Sequence, residues 1–226
     1  MWLMAQTWDQ LLFAHWPIGA KQLQRVVPPQ LEVDTFDDQA WLGIVAFQIS
    51  GIHLHGLPAV PGLAHFPEVN LRTYVRHNGR PGVLFLSLHC ANRLAMAIAR
   101  PWFRLPYHYA DVCLAPAGDA VDFACRSPTG ASFGARYWPV SDPCTAPHES
   151  LEAWLTERSC YYTATAAGGL YRCDIDHAPW QLARADAEIG TNTLATPFHL
   201  DLPTTEPVLH FADATEAHIW PLRRVA

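Results

Sequence analysis

One segment of the sequence alternates polar and apolar residues so that several reactive groups fall on one side of a strand. In EVNLRTYVR, Glu68 is followed at every second position by Asn70, Arg72, Tyr74 and Arg76. Because successive side chains of a strand point to opposite faces, these five share one face. Such a row is typical of the solvent-facing side of a half-buried sheet. In a barrel it could instead line a ligand cavity in which Glu–Arg pairing neutralises the buried charges, the less common of the two arrangements. The spacing leaves both interpretations open.

A second segment, FRLPYHYADV, places two tyrosines around a histidine directly after a proline. Tyr107 and His108 carry a phenol and an imidazole, which are groups able to donate protons in catalysis. The segment has neither a metal-ligand spacing nor a nucleophile motif. Taken alone, it predicts the aromatic start of a strand, with the rings filling space in the core.

A third segment, LTERSCYY, places Arg158 in the last turn of a predicted helix, with Tyr161 on the strand that follows. A cation in that turn complements the helix dipole, and this interpretation needs no function. The functional interpretation has Arg158 turned inward to hold a carboxylate bidentately. The local pattern slightly favours the first of the two.

Other kinds of site have less support. His53, His55 and His65 lie in a Gly/Pro-rich segment with no carboxylate or cysteine close in sequence, so we expect no metal there, although the pattern does not settle the point. The sequence has no phosphate loop, dinucleotide fingerprint or G-x-S-x-G elbow, and we expect no cofactor. The chain has a single lysine, Lys21, on the polar side of a predicted helix, which makes it a poor candidate for a desolvated nucleophile.

Composition restricts the class of protein. Half of the 226 residues are hydrophobic and 16% are charged, as in a globular core. The net charge of −6 and the scattered arginines argue against a nucleic-acid partner. The N-terminus has no cationic region before its apolar residues, and the apolar runs are too short to span a bilayer. We therefore expect a cytoplasmic protein that does not enter membranes, with six reduced and mostly buried cysteines. The sequence does not decide whether the protein is a monomer or a homo-oligomer.

The elements that must position these residues are mostly strands. The sequence predicts strands at Ala40–Ser50, Glu68–Arg76, Arg80–Cys90, Tyr107–Ala115, Val121–Cys125, Ser132–Trp138 and Val208–Phe211, with a Cys160–His177 hairpin turning at Gly168–Gly169. It predicts helices at Arg93–Phe103 after an Asn92 cap, at Leu151–Ser159 after a Ser150 cap and at Ala183–Glu188. It also predicts a helix entry in the segment that begins at Thr7, followed by a short amphipathic helix with Leu23, Val26 and Val27 that Pro28–Pro29 end. Many strands and no linker favour one mainly β (α+β) domain over residues 1–226.

Taken in order, six motifs resemble those of the YqjF-like DUF2071 family of uncharacterised bacterial proteins: WDQLLFAHWPI, LEVDTFDDQAWLGIVAF, FPEVNLRTYV, LPYHYADV, LTERSCYYT and HAPWQL. The similarity covers nearly the whole chain. Ser159 and Tyr161 depart from the family's usual TERYCLYT. The family is distantly similar to acetoacetate decarboxylase, and this resemblance implies an antiparallel, barrel-like cone with a few peripheral helices around a small-molecule pocket.

The same resemblance bears on the chemistry. Acetoacetate decarboxylase uses a Schiff-base lysine whose pKa is depressed. Its Phe-Pro-Lys-Lys segment matches LPYHY, so Tyr107 and His108 stand where two lysines would be, and its pocket glutamate matches Glu68. A phenol and an imidazole cannot form an iminium with a ketone. The resemblance thus implies the fold and the pocket but not decarboxylation.

Three hypotheses follow. The first is an acid/base enzyme that enolises, hydrates or tautomerises a small oxo-acid, with Glu68 as acid/base, Tyr107 or His108 as proton donor and Arg72 as carboxylate anchor. Asn70, Arg158 and Tyr161 would complete the ligand-binding wall. The second is a non-catalytic small-ligand binder, and the third is a structural protein whose pocket is vestigial. Burial of these residues in one cavity would favour the first two.

Overall fold

The computed structural model describes residues 1–59 and 65–226, which form fifteen strands. In chain order they are Met4–Ile18 (β1), Glu32–Val33 (β2), Ala40–Leu54 (β3), His65–His77 (β4), Arg80–Cys90 (β5), Tyr107–Tyr109 (β6), Asp111–Ala117 (β7), Ala120–Arg126 (β8), Ser132–Pro139 (β9), Cys144–Thr145 (β10), Cys160–Ala164 (β11), Leu170–His177 (β12), Gln181–Asn192 (β13), Val208–Ile219 (β14) and Arg223–Arg224 (β15). Part of the Gly/Pro-rich segment after β3, residues 60–64, lies outside the described residues.

Helices are few in these same residues: Ala20–Leu23 (α1), Arg93–Phe103 (α2), Leu151–Thr156 (α3) and a 3-10 helix at Thr196–Phe198. Two caps form as the sequence predicts. The side chain of Asn92 accepts a hydrogen bond from the Ala95 amide at 3.0 Å, and Ser150 accepts one from the Ala153 amide at 3.2 Å. In the described ranges no helix is both long and apolar enough to cross a membrane.

Seven strands pair in a closed ring, in the order β1, β14, β12, β11, β5, β4, β3 and back to β1. All of these pairings are antiparallel except β5–β11. Beyond β14 the sheet continues through β13, β9 and β8 to β7. The mainly β fold and its ring-like form agree with the prediction from the sequence.

The two faces of the ring have separate cores. Leu12, Ile44 and Val69 belong to one buried cluster together with Phe123 and Phe133 of β8 and β9, so the outer face of the ring is covered by the sheet extension. The other face contributes to a second cluster inside the ring, which includes Leu11, Phe13, Val45, Phe47 and Trp180. Because both faces are buried, β1 and β3 have nearly continuous hydrophobic runs instead of alternation.

The expected helix start within Thr7–Ile18 is wrong, because this segment belongs to β1. It pairs with β14 on one edge and β3 on the other, and Leu11 through Trp16 are all buried. A strand covered on both faces lacks the period-two signal that distinguishes it from a buried helix. The amphipathic helix near Leu23 is only the four residues of α1.

The expected helix at Ala183–Glu188 is also wrong, because this segment lies in β13. Ala183 and Ala185 are buried, whereas Arg184, Asp186 and Glu188 are exposed. That alternation has the period of a strand, but the alanine and charged composition favours a helix when propensity alone is considered. Pairing with β9 and β14 overrides the propensity.

The strand predicted at Tyr107–Ala115 is divided in two. Residues of β6 pair in parallel with β5, whereas β7 begins at Asp111 and pairs antiparallel with β8. The chain therefore changes sheet partner at Ala110. This change seats Tyr107 against the ring, whereas β7 pairs with β8 in the sheet extension.

Candidate functional site

A cavity of about 100 Å³ lies inside the ring, and all seven ring strands contribute to its wall. From β4 it receives Glu68, Asn70 and Arg72, the first three polar positions of the alternating row. Glu68 and Asn70 are 2% and 4% exposed. For these three residues the structure agrees with the cavity interpretation of the row, and the solvent-facing interpretation is wrong.

Glu68 and Tyr107 form a buried hydrogen-bonded pair in this wall. The Tyr107 hydroxyl donates to Glu68 Oε2 at 2.7 Å. Burial raises the pKa of Glu68 from 4.5 to about 8, and the hydrogen bond from Tyr107 offsets only part of that rise. Burial, followed by the neighbouring Glu68 charge, raises the pKa of Tyr107 well above its usual value. Glu68 is thus a carboxylic acid that gains and loses its proton near neutral pH, beside a phenol that stays protonated.

The backbone at Tyr107 is held by the end of α2. Arg100 donates two hydrogen bonds, of 3.1 and 2.5 Å, to the Tyr107 carbonyl oxygen.

The expected pairing of Glu68 with an arginine is wrong, since Glu68 forms no ion pair among the described residues and has the phenol as its partner. Without a neighbouring cation, burial dominates the electrostatics of the carboxyl group.

Arg72 and Asn70 present unsatisfied polar atoms in the same wall. Arg72 Nη2 donates a long hydrogen bond of 3.4 Å to the Leu155 carbonyl, and its Nε is buried with no partner among the described residues. Its guanidinium lies over the rings of Phe13 and Tyr74, 5.6 and 5.9 Å from their centroids. Asn70 Oδ1 is likewise buried without a partner in the described chain. Such atoms are uncommon in cores, and they are available to a bound ligand.

Arg158 is turned inward, so the interpretation that it only complements the dipole of α3 is wrong. It is 9% exposed, lines the cavity, and donates from Nη1 to Asp34 Oδ2 at 2.8 Å and from Nε to the Trp154 carbonyl at 2.8 Å. Asp34 also accepts from Arg76, whose Nη2 lies 2.7 Å from Oδ1. The carboxylate held by Arg158 therefore belongs to the protein itself. The Nη2 atom of Arg158 is buried and has no partner among the described residues.

Tyr74, the fourth member of the row, positions the neighbouring groups. Its hydroxyl donates to the Leu155 carbonyl at 2.7 Å and lies 2.7 Å from His15 Nε2, so the imidazole N–H must donate to the phenol oxygen. Burial, followed by the charge of Arg72, lowers the pKa of His15 well below 6.5 and keeps the ring neutral. Gly43 lies between these groups, and a Cβ there would come within 2.9 Å of the His15 ring.

His108 is not brought to the cavity. It is exposed and points away from Glu68, because neighbouring residues of β6 alternate between faces. It stacks against His89, with ring centroids 5.4 Å apart, and contributes to a different surface. Of the two proton donors that the sequence offered, Tyr107 is the one placed beside Glu68.

Tyr161 lines the cavity with its ring and has its hydroxyl bound elsewhere. It is 3% exposed and donates to the Phe103 carbonyl at 3.0 Å. Burial raises its pKa above the usual value. Tyr161 therefore offers the cavity an aromatic surface and no free hydroxyl.

Two of the three histidines considered for a metal site pack against an aromatic ring. His53 lies within β3, beyond the predicted strand end at Ser50, and its ring centroid is 5.9 Å from that of Trp2. His55 is 4.1 Å from the same ring, and His65 is exposed at the start of β4. Within residues 1–59 and 65–226, no group of three or more His, Cys, Asp or Glu side chains is arranged to hold a metal ion.

Several residues of the site were missed in the sequence. Asp34 lies 124 residues from its buried partner Arg158, and His15 lies 59 residues from Tyr74. Trp8 and Trp180 complete the wall, stacked with centroids 6.0 Å apart. No local pattern marks these contacts.

The cavity wall contains no lysine. Lys21 is exposed on α1 and is not among the described residues that line the cavity. The ring of strands is similar to solved structures of one fold. Acetoacetate decarboxylase from Legionella pneumophila matches with a TM-score of 0.69 at 16% identity, over 98% of this chain and 87% of that chain. The enduracididine biosynthesis enzyme MppR complexed with pyruvate matches with a TM-score of 0.70 at 12% identity, over 100% and 91%. The chain therefore has an acetoacetate-decarboxylase-like fold.

The family follows from the sequence comparisons. The model of DUF2071, described as an uncharacterized conserved protein, matches residues 5–216. The uncharacterized protein YqjF of Bacillus subtilis (strain 168) is 44% identical over 226 residues, which covers 99% of this chain and 93% of YqjF. The chain belongs to the DUF2071 family.

Proposed function

We propose that the protein binds a small oxo-acid in the ring cavity and catalyses proton transfer on it, as in enolisation, hydration or tautomerisation. The observation that carries the proposal is the buried Glu68–Tyr107 pair, in which the pKa of the carboxyl group is about 8. A group whose pKa lies near the operating pH is best suited to general acid/base catalysis. Strongly perturbed pKa values in a cavity are also typical of functional sites.

The cationic side of the cavity supports an acidic ligand. Arg72 and Arg158 both line it, and each has one buried guanidinium nitrogen without a partner among the described residues. A bound carboxylate would satisfy both nitrogens with charge-assisted hydrogen bonds. Asn70 lies on the same strand as Arg72 and adds a polar contact. The volume of about 100 Å³ suits a compact ligand better than a drug-sized one.

Glu68 and Tyr107 are together sufficient to supply and accept every proton that moves in an enolisation. Ionised Glu68 would take a proton from the carbon next to the carbonyl, and the Tyr107 O–H would give its proton to the carbonyl oxygen. Glu68 would then return a proton to Tyr107 along their 2.7 Å hydrogen bond. Because burial raises the pKa of Tyr107 so far, a free phenolate is unfavourable and the transfers must be coupled. No covalent adduct with the protein is required.

The choice of ligand also draws on a structural neighbour. MppR has been solved in complex with pyruvate, a 2-oxo acid, and it shares the fold at 12% identity. From MppR we take only the class of its ligand, the 2-oxo acids, and we choose pyruvate as the first compound to test. The Schiff-base route of acetoacetate decarboxylase has no counterpart in our proposal because the described cavity wall lacks a lysine.

Deuterium exchange tests the proposal directly. Pyruvate is incubated with the protein in D2O and loss of the methyl proton signal is followed by NMR. We expect exchange above the buffer rate, reduced about 10²-fold or more by Glu68→Gln and also reduced by Tyr107→Phe. Glu206→Gln, at an exposed position, is the matched control and should exchange like the wild type. Equal exchange by wild type and Glu68→Gln across a set of oxo-acids would refute the catalytic role.

A second candidate function is binding without catalysis. The observation that favours it is the wall itself, in which apolar side chains such as Phe13, Phe47 and Trp180 outnumber the polar ones. In a thermal-shift screen this protein would be stabilised by oxo-acids, yet NMR would show no exchange. Borohydride treatment with a keto-acid should leave no adduct in either case, and a stable adduct at Lys21 would overturn our account of the missing lysine.

A further inference from the structure

A second cavity, of about 80 Å³, lies against the first. Its walls are the inner face of α2, with Ala95 and Ile98, and the apolar residues Ile49, Ile52 and Phe66 of β3 and β4. No charged side chain lines it in the described part of the chain. The two cavities therefore differ in character, since the first contains Glu68 and two arginines and the second is apolar.

The two cavities share part of their walls. Gln6, Leu105, Tyr107, Tyr161 and Ile219 line both of them. The hydroxyls of the two tyrosines are already bound, one to Glu68 and one to the Phe103 carbonyl, so apart from the Gln6 amide the boundary is formed by rings and alkyl groups. An apolar substituent can pass such a boundary without leaving a polar group unsatisfied.

We propose that the ligand is an oxo-acid with an apolar substituent, whose carboxylate lies in the first cavity and whose substituent occupies the second. The inference rests on the proposed function, because it assumes an oxo-acid in the first cavity. The position of Tyr107 sets the order of the groups. It lines both cavities and donates to Glu68, so the carbonyl carbon would lie at the boundary, with the carboxylate on the side of Arg72 and Arg158.

The size of the second cavity limits the substituent. Since a water molecule occupies about 30 Å³, a cavity of about 80 Å³ has room for roughly three carbon groups. Burying one methylene contributes enough to raise affinity about fourfold. Affinity should therefore rise about fourfold per carbon from pyruvate to 2-oxohexanoate and then level off.

Calorimetric titration of straight-chain 2-oxo acids from three to eight carbons tests this expectation. Ala99→Phe adds a ring to a residue that lines only the second cavity, and it should abolish the rise in affinity with chain length. Ala97→Phe makes the same change on the exposed side of α2 and should leave the profile unchanged. Ile98→Ala enlarges the second cavity and should move the plateau to longer acids, which keeps the test decisive if Ala99→Phe does not fold.

The outcomes separate the two proposals. If pyruvate binds and the longer acids bind equally or more weakly, the ligand has no apolar substituent and this inference is overturned, while the proposed function stands. A profile that rises in both wild type and Ala99→Phe would overturn the placement of the substituent. If none of the acids binds, the proposed function fails and this inference fails with it.

Discussion

Replacing Glu68 by glutamine should change how the stability of this protein depends on pH. Glutamine has nearly the shape of a protonated glutamic acid and can still accept the Tyr107 hydrogen bond. The pKa of Glu68 is about 8 in the folded protein, against 4.5 as its ordinary value. The folded state therefore holds a proton that the unfolded chain has lost between these pH values.

The sign of the effect follows from that difference. Glu68 is an acid whose folded pKa is raised, so its contribution to stability is complete below the unfolded pKa and is lost as pH rises through about 8. One pKa unit corresponds to about 1.4 kcal/mol, so the shift from 4.5 to about 8 makes wild type lose about 4 kcal/mol between pH 5 and pH 9 through this group. Glutamine does not ionise, and Glu68→Gln should lack that loss.

The assay is thermal or urea unfolding of both proteins at several pH values. At the size of this chain, about 4 kcal/mol corresponds to a change of roughly 8 to 16 °C in Tm. The quantity to compare is the Tm difference between Glu68→Gln and wild type, because the other titrating groups are common to both and cancel. The difference should be small at pH 5 and should favour the variant strongly at pH 9.

Glu206→Gln is the control, since it removes an exposed carboxyl group and should show a pH-independent difference near zero. Our reasoning is refuted if the Tm difference for Glu68→Gln is the same at pH 5 and pH 9. That result would mean that Glu68 is ionised in the folded protein throughout the range, and it could not then act as an acid near neutral pH.

Two further predictions concern packing and charge around the cavity. Gly43→Ala should destabilise the protein by about 1–3 kcal/mol in urea unfolding, because the new Cβ would meet the His15 ring at 2.9 Å. The control is Gly134→Ala, which should cost less because the nearest atom to its new Cβ is 3.9 Å away. Asp34→Asn should cost about 3–5 kcal/mol by leaving a buried arginine without its carboxylate, whereas Asp122→Asn, in an exposed pair, should change unfolding by less than about 1 kcal/mol. Equal losses for the two glycine variants would contradict the role assigned to the close contact with His15. Equal losses for the two aspartate variants would contradict the role assigned to burial of the ion pair.

Local sequence was sufficient in β4, where polar and apolar side chains separate onto two faces, and at the starts of α2 and α3. The alternation from Glu68 to Arg76 gave the correct faces of β4, and the caps at Asn92 and Ser150 gave correct helix starts. It failed in β1, where both faces are buried and the pattern has no period. In β13 a strand pattern was present, but alanine-rich composition concealed it.

The residues of the candidate site fall into two groups, those that local sequence places correctly and those that only the folded ring brings together. Local pattern placed Glu68, Asn70 and Arg72 on one face, because a strand brings them together without help from the rest of the chain. The partners of Arg158 and Tyr74, in contrast, are separated from them by 124 and 59 residues, and only the closed ring of strands brings them within hydrogen-bond distance. Whether His108 or Tyr107 faces Glu68 depends on the seating of β6 against β5, which no local signal specifies.

The described cavity wall combines two properties, the lack of a reactive amine and a raised pKa of Glu68 that burial causes. Burial disfavours the charged form of any ionisable group, so it lowers the pKa of a lysine and raises that of a glutamic acid. A wall that would keep a lysine amine neutral and nucleophilic also keeps Glu68 protonated up to about pH 8. The described wall contains no amine that could form an iminium, and the carboxyl group of Glu68 is the acid whose pKa burial moves towards neutral pH. In our proposal, the same cavity holds and moves a proton instead. Tyr107→Lys tests this argument, because the new amine should be trapped by borohydride with a keto-acid, and a lysine there that remains unreactive near neutral pH would show that burial does not set the chemistry of this wall.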